Sequence, residues 1–194
     1  MAIGYIAAFS ETLALTIIAS EGVPPLLDAL NTEIEDHIKS ASAWSLGQIG
    51  RHTPNHAKAL AESNVLPALV SGFISKSSSE DLQTKCKKAI KGICDRLTFF
   101  PALDKLMQGP PLPEGILKYI LAQIGKVVPH DQDAKTLFVT SGSFAKMQEI
   151  AVEASSEIKE IIDNVNSAYP IEIVHYYSPG YSEILLQKLT SGKF

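Results

Sequence analysis

Apolar residues recur along most of this chain at the three-to-four-residue spacing of helices that bury one face. In "DLQTKCKKAIKGICDRL", Leu82, Cys86, Ala89, Ile90, Ile93 and Leu97 share a face, while Lys85, Lys87, Lys88 and Lys91 lie largely off it. "EIKEIIDNVNSAY" carries a second stripe: Ile158, Ile161, Ile162, Val165 and Tyr169. Thr53 is a good N-cap, and Pro54 behind it occupies the first helical position, where a missing N–H costs nothing. No stretch alternates strictly enough to predict a strand.

The pattern repeats. "EGVPPLLDAL" from Glu21 returns as "NVLPALVSGF" from Asn64, with Val23 on Val65 and Pro25 on Pro67, and more weakly as "GSFAKMQEI" from Gly142. "LGQIGRHTPNHAKAL" from Leu46 returns as "LAQIGKVVPHDQDAKTL" from Leu121, and "IGYIAAFSETLAL" from Ile3 is a further copy. Each unit reads as a long helix, a short helix opened by Thr-Pro, and a helix carrying Pro-Pro-Leu-Leu or Pro-Ala-Leu-Val. Three helices in about 42 residues match the armadillo and HEAT period rather than the shorter tetratricopeptide or ankyrin repeats. The expected fold is all-α: a right-handed α-solenoid of armadillo repeats over residues 1–169, closed by a C-terminal helical cap over 170–194.

Two irregularities are expected. After Leu97, "FFPALDKLM" follows directly, so the short helix of that unit is missing, and the Pro-rich loop "QGPPLPEG" then leads into the next long helix. The segment from Pro170 has no repeat signature and is expected to form two short helices around the turn Ser178-Pro179-Gly180-Tyr181. Ser178-Pro179 also reads as a proline-directed phosphorylation sequence. The chain starts inside a repeat, which suggests the C-terminal part of a longer solenoid.

Composition narrows the function. The 194 residues are 45% hydrophobic, enough for one substantial core, and the net charge of −4 argues against a generic nucleic-acid or anionic-membrane binder. "YIAAFSETLALTIIAS" is interrupted by Ser10, Glu11 and Thr12 and is too short and polar to span a bilayer. Cys86 and Cys94, eight residues apart, would stand about 12 Å apart along one helix, too far for a disulfide. They read as reduced thiols of an intracellular protein.

The stretch "AWSLGQIGRHTPNHAKAL" tempts a catalytic reading, but its residues recur as architecture. His52 and His56 straddle a helix start and have no acidic or cysteine co-ligand, so no metal is expected. "GQIG" lacks the glycine count and the Gly-Lys-Ser/Thr ending of a phosphate loop; its glycines let neighbouring helices approach or end the long helix. No cofactor, no small-molecule substrate and no enzymatic activity are expected.

In peptide-binding armadillo proteins the long third helix carries Trp-x-x-x-Asn along the concave groove. Trp44 and Gln48 occupy those positions; the aligned copies place Tyr119 with Gln123 and Lys88 with Gly92, and the first copy offers only Tyr5. Trp44, Gln48, Lys88, Tyr119 and Gln123 are therefore the candidate groove residues, weighed against ordinary packing. Lys85, Lys87, Lys88, Lys91 and Arg96 form a candidate basic patch for an acidic partner, weighed against a solvated helix face.

"GYIAAFSETLAL", "GVPPLL", "EDHIKSASAWSLGQIGRHTP", "SSEDLQTKCKKAIKGI", "LFVTSG" and above all "IVHYYSPGYSEILLQKL" closely resemble the sperm-associated antigen 6 family. The resemblance implies an armadillo-repeat structural protein of the central pair apparatus in the axoneme of cilia and flagella, associated with a central microtubule and required for motility. It implies central-pair proteins as partners, and tubulin as a candidate acidic partner for the basic patch. The alternative is a soluble armadillo adaptor that binds extended peptides or a cytoplasmic signalling partner.

Overall fold

The computed structural model describes residues 1–181, and among these every regular element is helical. The chain runs α1 (Ala2–Phe9), α2 (Glu11–Ala19), α3 (Val23–Thr32), α4 (Asp36–Gly50), α5 (Pro54–Glu62), α6 (Val65–Ile74) and α7 (Glu80–Cys94). It continues with α8 (Phe100–Gln108), α9 (Glu114–Val127), a 3-10 turn (Val128–His130), α10 (Gln132–Thr140), α11 (Ser143–Glu153), α12 (Ser156–Asn166) and α13 (Ile171–Tyr177). Helices α1, α4, α7, α9 and α12 stack side by side as one row, each touching the next. The helices α3, α6, α8 and α11 form the row behind it, joined to the first row by the short helices α2, α5 and α10. As expected, no short helix separates α7 from α8.

The apolar stripes build the core. Leu82, Cys86, Ala89, Ile90, Ile93 and Leu97 are all buried, as are Leu46 and Ile49 in α4 and Leu121 and Ile124 in α9. Glycine brings the first-row helices close. A Cβ at Gly47 would stand 2.8 Å from the Ala89 Cβ and 2.9 Å from its Cα, so α4 and α7 meet almost backbone to backbone. Toward the C-terminus the core turns aromatic, with Phe100, Phe138 and Phe144 edge to face at 5.7 Å centroid spacings and Tyr169 4.7 Å from Phe144.

Polar bonds recur between layers at equivalent places. The Asp36 carboxylate at the start of α4 accepts the N–H of Ser79, the residue that caps α7, at 2.5 Å. Glu114 at the start of α9 accepts from Ser155 before α12 at 2.8 Å. At the other end of the long helices, His52 donates from Nε2 to the Ala7 carbonyl (2.8 Å) and Arg96 donates from Nε to the Arg51 carbonyl (3.2 Å).

At the first layer the apolar face stays open: Ile3 and Ile6 align with Leu46 and Ile49 but are 38% and 47% exposed, and Phe9 is more so. At the other end, α13 lays Tyr177 against Phe144, and Ser178 to Tyr181 form a turn with Gly180 at φ 84°. The second short helix expected after this turn lies outside the described residues. Among the described residues, no single helix is long and apolar enough to cross a bilayer; α2 and α3 together carry that apolar length but are bent apart by 78°.

Candidate functional site

The exposed face of α1, α4 and α7 carries two adjoining clefts separated by Trp44. The first, about 320 Å³, lies between α4 and α7 and is lined by Trp44, Gln48, Arg51, Lys85, Lys88 and Lys91, with Gly92 and Asp95. The second, about 500 Å³, lies between α1 and α4 and includes Tyr5, His37, Ala41 and Lys85. Tyr5 stands edge-on to Trp44 at 4.8 Å, so the indole is half-buried, held from one side and open on the other. Gly4 makes this possible, because a Cβ there would fall 2.4 Å from the Trp44 ring.

The electrostatics of the first cleft are one-sided. Four of its side chains are cationic and one, Asp95, is anionic, on a chain whose net charge is −4. Lys85 is 3.9 Å from Asp81, but among the described residues Arg51, Lys88 and Lys91 join no ion pair. The cationic run continues onto α9, where the ammonium groups of Lys91 and Lys118 each stand 5.6 Å from the centre of the Tyr119 ring. Lys118 is tied to Glu157 of α12 at 3.0 Å, and that carboxylate raises its pKa.

The expected groove set is thus mostly assembled on one face: Trp44, Gln48 and Lys88 share a cleft and Tyr119 follows on α9. Gln123 is a correction. It repeats the Leu-x-Gln-Ile-Gly setting of Gln48, yet it is buried, and its Nε2 donates to the Leu97 carbonyl at 2.9 Å. Leu97 lies in the link where the short helix is missing, and Gln123 is drawn inward to satisfy that backbone.

The basic patch also divides. Lys85, Lys88 and Lys91 line the cleft and Arg96 lies at its end beside Arg51 and His52. Lys87 does not join them. It points to the far side of α7, where a Cβ on Gly115 would come within 3.3 Å of its Nζ and 4.0 Å of the Phe73 ring. Arg51, by contrast, is a lining residue the sequence pattern left out; its place just after the Gly50 end of α4 was the available signal.

The histidines and cysteines serve the stack. His52 reaches back to α1, and His56, buried, bonds the Glu11 carbonyl from Nε2 (3.1 Å) and Thr53 Oγ1 from Nδ1 (2.7 Å). Cys86 and Cys94 are both buried, and loss of solvent pushes each thiol up to about 12.

No family model matches the chain. Sperm-associated antigen 6 from Homo sapiens is 54% identical over 168 residues, covering 87% of this chain, and the Mus musculus protein is 53% identical over the same length. The chain is a homologue of sperm-associated antigen 6. It spans about a third of the length of these two sperm-associated antigen 6 proteins, 33% in each case. Among solved structures, a designed armadillo repeat protein in complex with a (KR)4 peptide superposes with a TM-score of 0.57 at 16% identity, over 99% of this chain and 84% of that one. Computationally designed armadillo repeat proteins for modular peptide recognition give 0.55 at 16% identity, over 86% of this chain and 72% of theirs. The fold is the armadillo α-solenoid.

Proposed function

We propose that this chain is a non-enzymatic scaffold segment that holds an acidic, extended stretch of a protein partner along the α1–α4–α7–α9 face. The observation that carries this reading is the cleft in which a half-buried Trp44 and Gln48 stand among Arg51, Lys85, Lys88 and Lys91. An aromatic wall supplies contact area, an amide side chain can bond a passing backbone, and clustered cations select and steer anionic side chains. The designed relative in complex with a (KR)4 peptide takes a basic ligand; the charge of this cleft is the reverse and fits a Glu- or Asp-rich one.

Identity to sperm-associated antigen 6 supports placing the scaffold in the axoneme of motile cilia and flagella, among proteins of the central apparatus, with a role in motility. In that setting tubulin, whose surface is acidic, is a candidate partner. The test is co-sedimentation with microtubules and fluorescence anisotropy with a Glu-rich peptide, each across a salt series. Lys85→Glu with Lys88→Glu is expected to abolish a salt-sensitive interaction, and Lys87→Glu, on the other side of α7, to leave it intact. Equal loss with Lys87→Glu, or no loss with the double variant, overturns the groove reading. A tag on the full-length protein that gave a diffuse, detergent-soluble signal would instead favour a free adaptor for extended peptides.

A further inference from the structure

A second crevice lies away from the groove, where the end of α8, the loop 109–113, α9 and the end of α11 meet. Its counterpart one repeat-pair earlier lies between α3, α4 and α6, and the helical positions of the two linings largely correspond. Asn64 and Gly142, both left-handed, start α6 and α11, and Asp36 and Glu114 each accept the N–H of the following layer. In that register the earlier crevice is small and polar, walled by Asn31, Lys39, Gly72 and Ser75. The later one carries Met107, Leu117, Ile150 and Glu153 at those places, adds Leu112 from a connection two residues longer, and has Glu149 where the other has Ser71.

The substitutions change both size and chemistry. The crevice opens from about 180 Å³ to about 340 Å³, and Leu112 and Ile150 stay only half-buried at its mouth. Met107 and Leu117 are taken into the core and floor the crevice, while Leu112 from the longer connection and Ile150 in place of Gly72 leave apolar surface open above them, as a contact surface does. The rim is acidic: Glu114, Glu149 and Glu153 surround it. Among the described residues its lining holds one cation, Lys146, which donates its Nζ to the Gly109 carbonyl at 2.7 Å and so fastens the loop. The lysine of the earlier crevice, Lys39, has become Leu117.

We propose that this crevice is a docking site for a protein segment that presents a leucine-like side chain flanked by lysine or arginine. The aliphatic group fills the space between Leu112, Leu117 and Ile150, and the flanking cations meet Glu149 and Glu153. The site faces a partner opposite in charge to that of the groove, so the two surfaces engage different chains, or different segments of one.

Methyl NMR on the 194-residue chain, titrated with the amidated peptide Lys-Arg-Leu-Leu-Lys-Arg, tests this. Saturable shifts are expected at Leu112, Leu117 and Ile150, absent when both leucines of the peptide are replaced by serine. Glu149→Lys with Glu153→Lys, at exposed positions, is expected to weaken binding by about tenfold or more, as is Ile150→Ser, whereas Lys88→Glu leaves it unchanged. Unchanged unfolding midpoints keep these variants interpretable, and the exposed Glu pair suffices if Ile150→Ser unfolds. Absence of shifts at millimolar peptide, shifts confined to the Trp44 face, or equal binding of the serine peptide overturns the proposal. So does a dimer in light scattering that Ile150→Ser dissociates, since the occupant is then a second copy.

Discussion

Replacing Gly47 by alanine and, separately, Gly92 by alanine makes the same chemical change on two neighbouring long helices. Each gains about 0.8–1 kcal/mol of helix propensity, since glycine loses more backbone freedom on folding. At Gly92 the new methyl meets only the Arg51 Cβ at 3.4 Å, so the gain stands and the variant is about 0.5–1 kcal/mol more stable. At Gly47 the methyl would fall 2.8 Å from the Ala89 Cβ and 2.9 Å from the Ala89 Cα, and no rotamer can relieve a clash with a Cα. Overpacking of this kind costs about 1–3 kcal/mol, which cancels the propensity gain and leaves a net loss of up to about 2 kcal/mol. The two variants therefore differ by about the overpacking cost itself, about 1–3 kcal/mol, with Gly92→Ala the more stable. Equilibrium urea unfolding measures this, followed by far-UV circular dichroism for the whole stack and by fluorescence of Trp44, the only tryptophan, for the α1–α4–α7 layers. Stabilisation of both variants alike would refute the claim that α4 and α7 approach backbone to backbone.

His56→Ala is expected to cost about 2–4 kcal/mol in the same assay, because it removes a buried ring together with its hydrogen bonds to the Glu11 carbonyl and Thr53 Oγ1; a loss under about 0.5 kcal/mol contradicts this. The carboxyls of Asp36 and Glu114 are held below their ordinary range, chiefly by the backbone N–H of Ser79 and Ser155. A lowered pKa gives stability that is complete above the unfolded values near about 4 and lost as pH falls through the lowered native ones. The urea midpoint is expected to drop on acidification, and Asp36→Asn with Glu114→Gln to flatten that drop; parallel curves for the variant and the parent chain refute it. With both thiols pushed up to about 12, Cys86 and Cys94 are expected to react with Ellman's reagent at pH 8 only as the chain unfolds, and fast native-state labelling would contradict the structure.

The repeats were legible because each helix advertises its own buried stripe and its own start. The stripe from Leu82 to Leu97 is buried throughout, Thr53 Oγ1 caps α5, and Leu97 runs on to α8 with no helix between. What stayed illegible depends on the neighbouring layer rather than on the local sequence. Gln48 and Gln123 sit in the same five-residue motif, but one faces Lys88 and Gly92 and the other faces a bare backbone carbonyl. Lys87 and Lys88 are adjacent in sequence, and the about 100° turn between successive helical residues sends one to Gly115 and the other into the cleft. His52 and His56 share no helical face, yet the turn at Thr53 aims both at the preceding layer.

In the 194-residue chain by itself, the open face of the first layer sets a direction for how the stack comes apart. Among the described residues each inner layer packs against a neighbour on both sides, whereas α1 and α2 pack chiefly against α4 and α5 on one side, and Ile3 and Ile6 keep solvent where Leu46 and Ile49 have none. In a quasi-one-dimensional stack, opening free energy rises with the number of interfaces that must break. Amide hydrogen exchange should therefore proceed as a gradient, fastest in α1 and α2 and slowest in α7, whose backbone is clasped between α4 and α9.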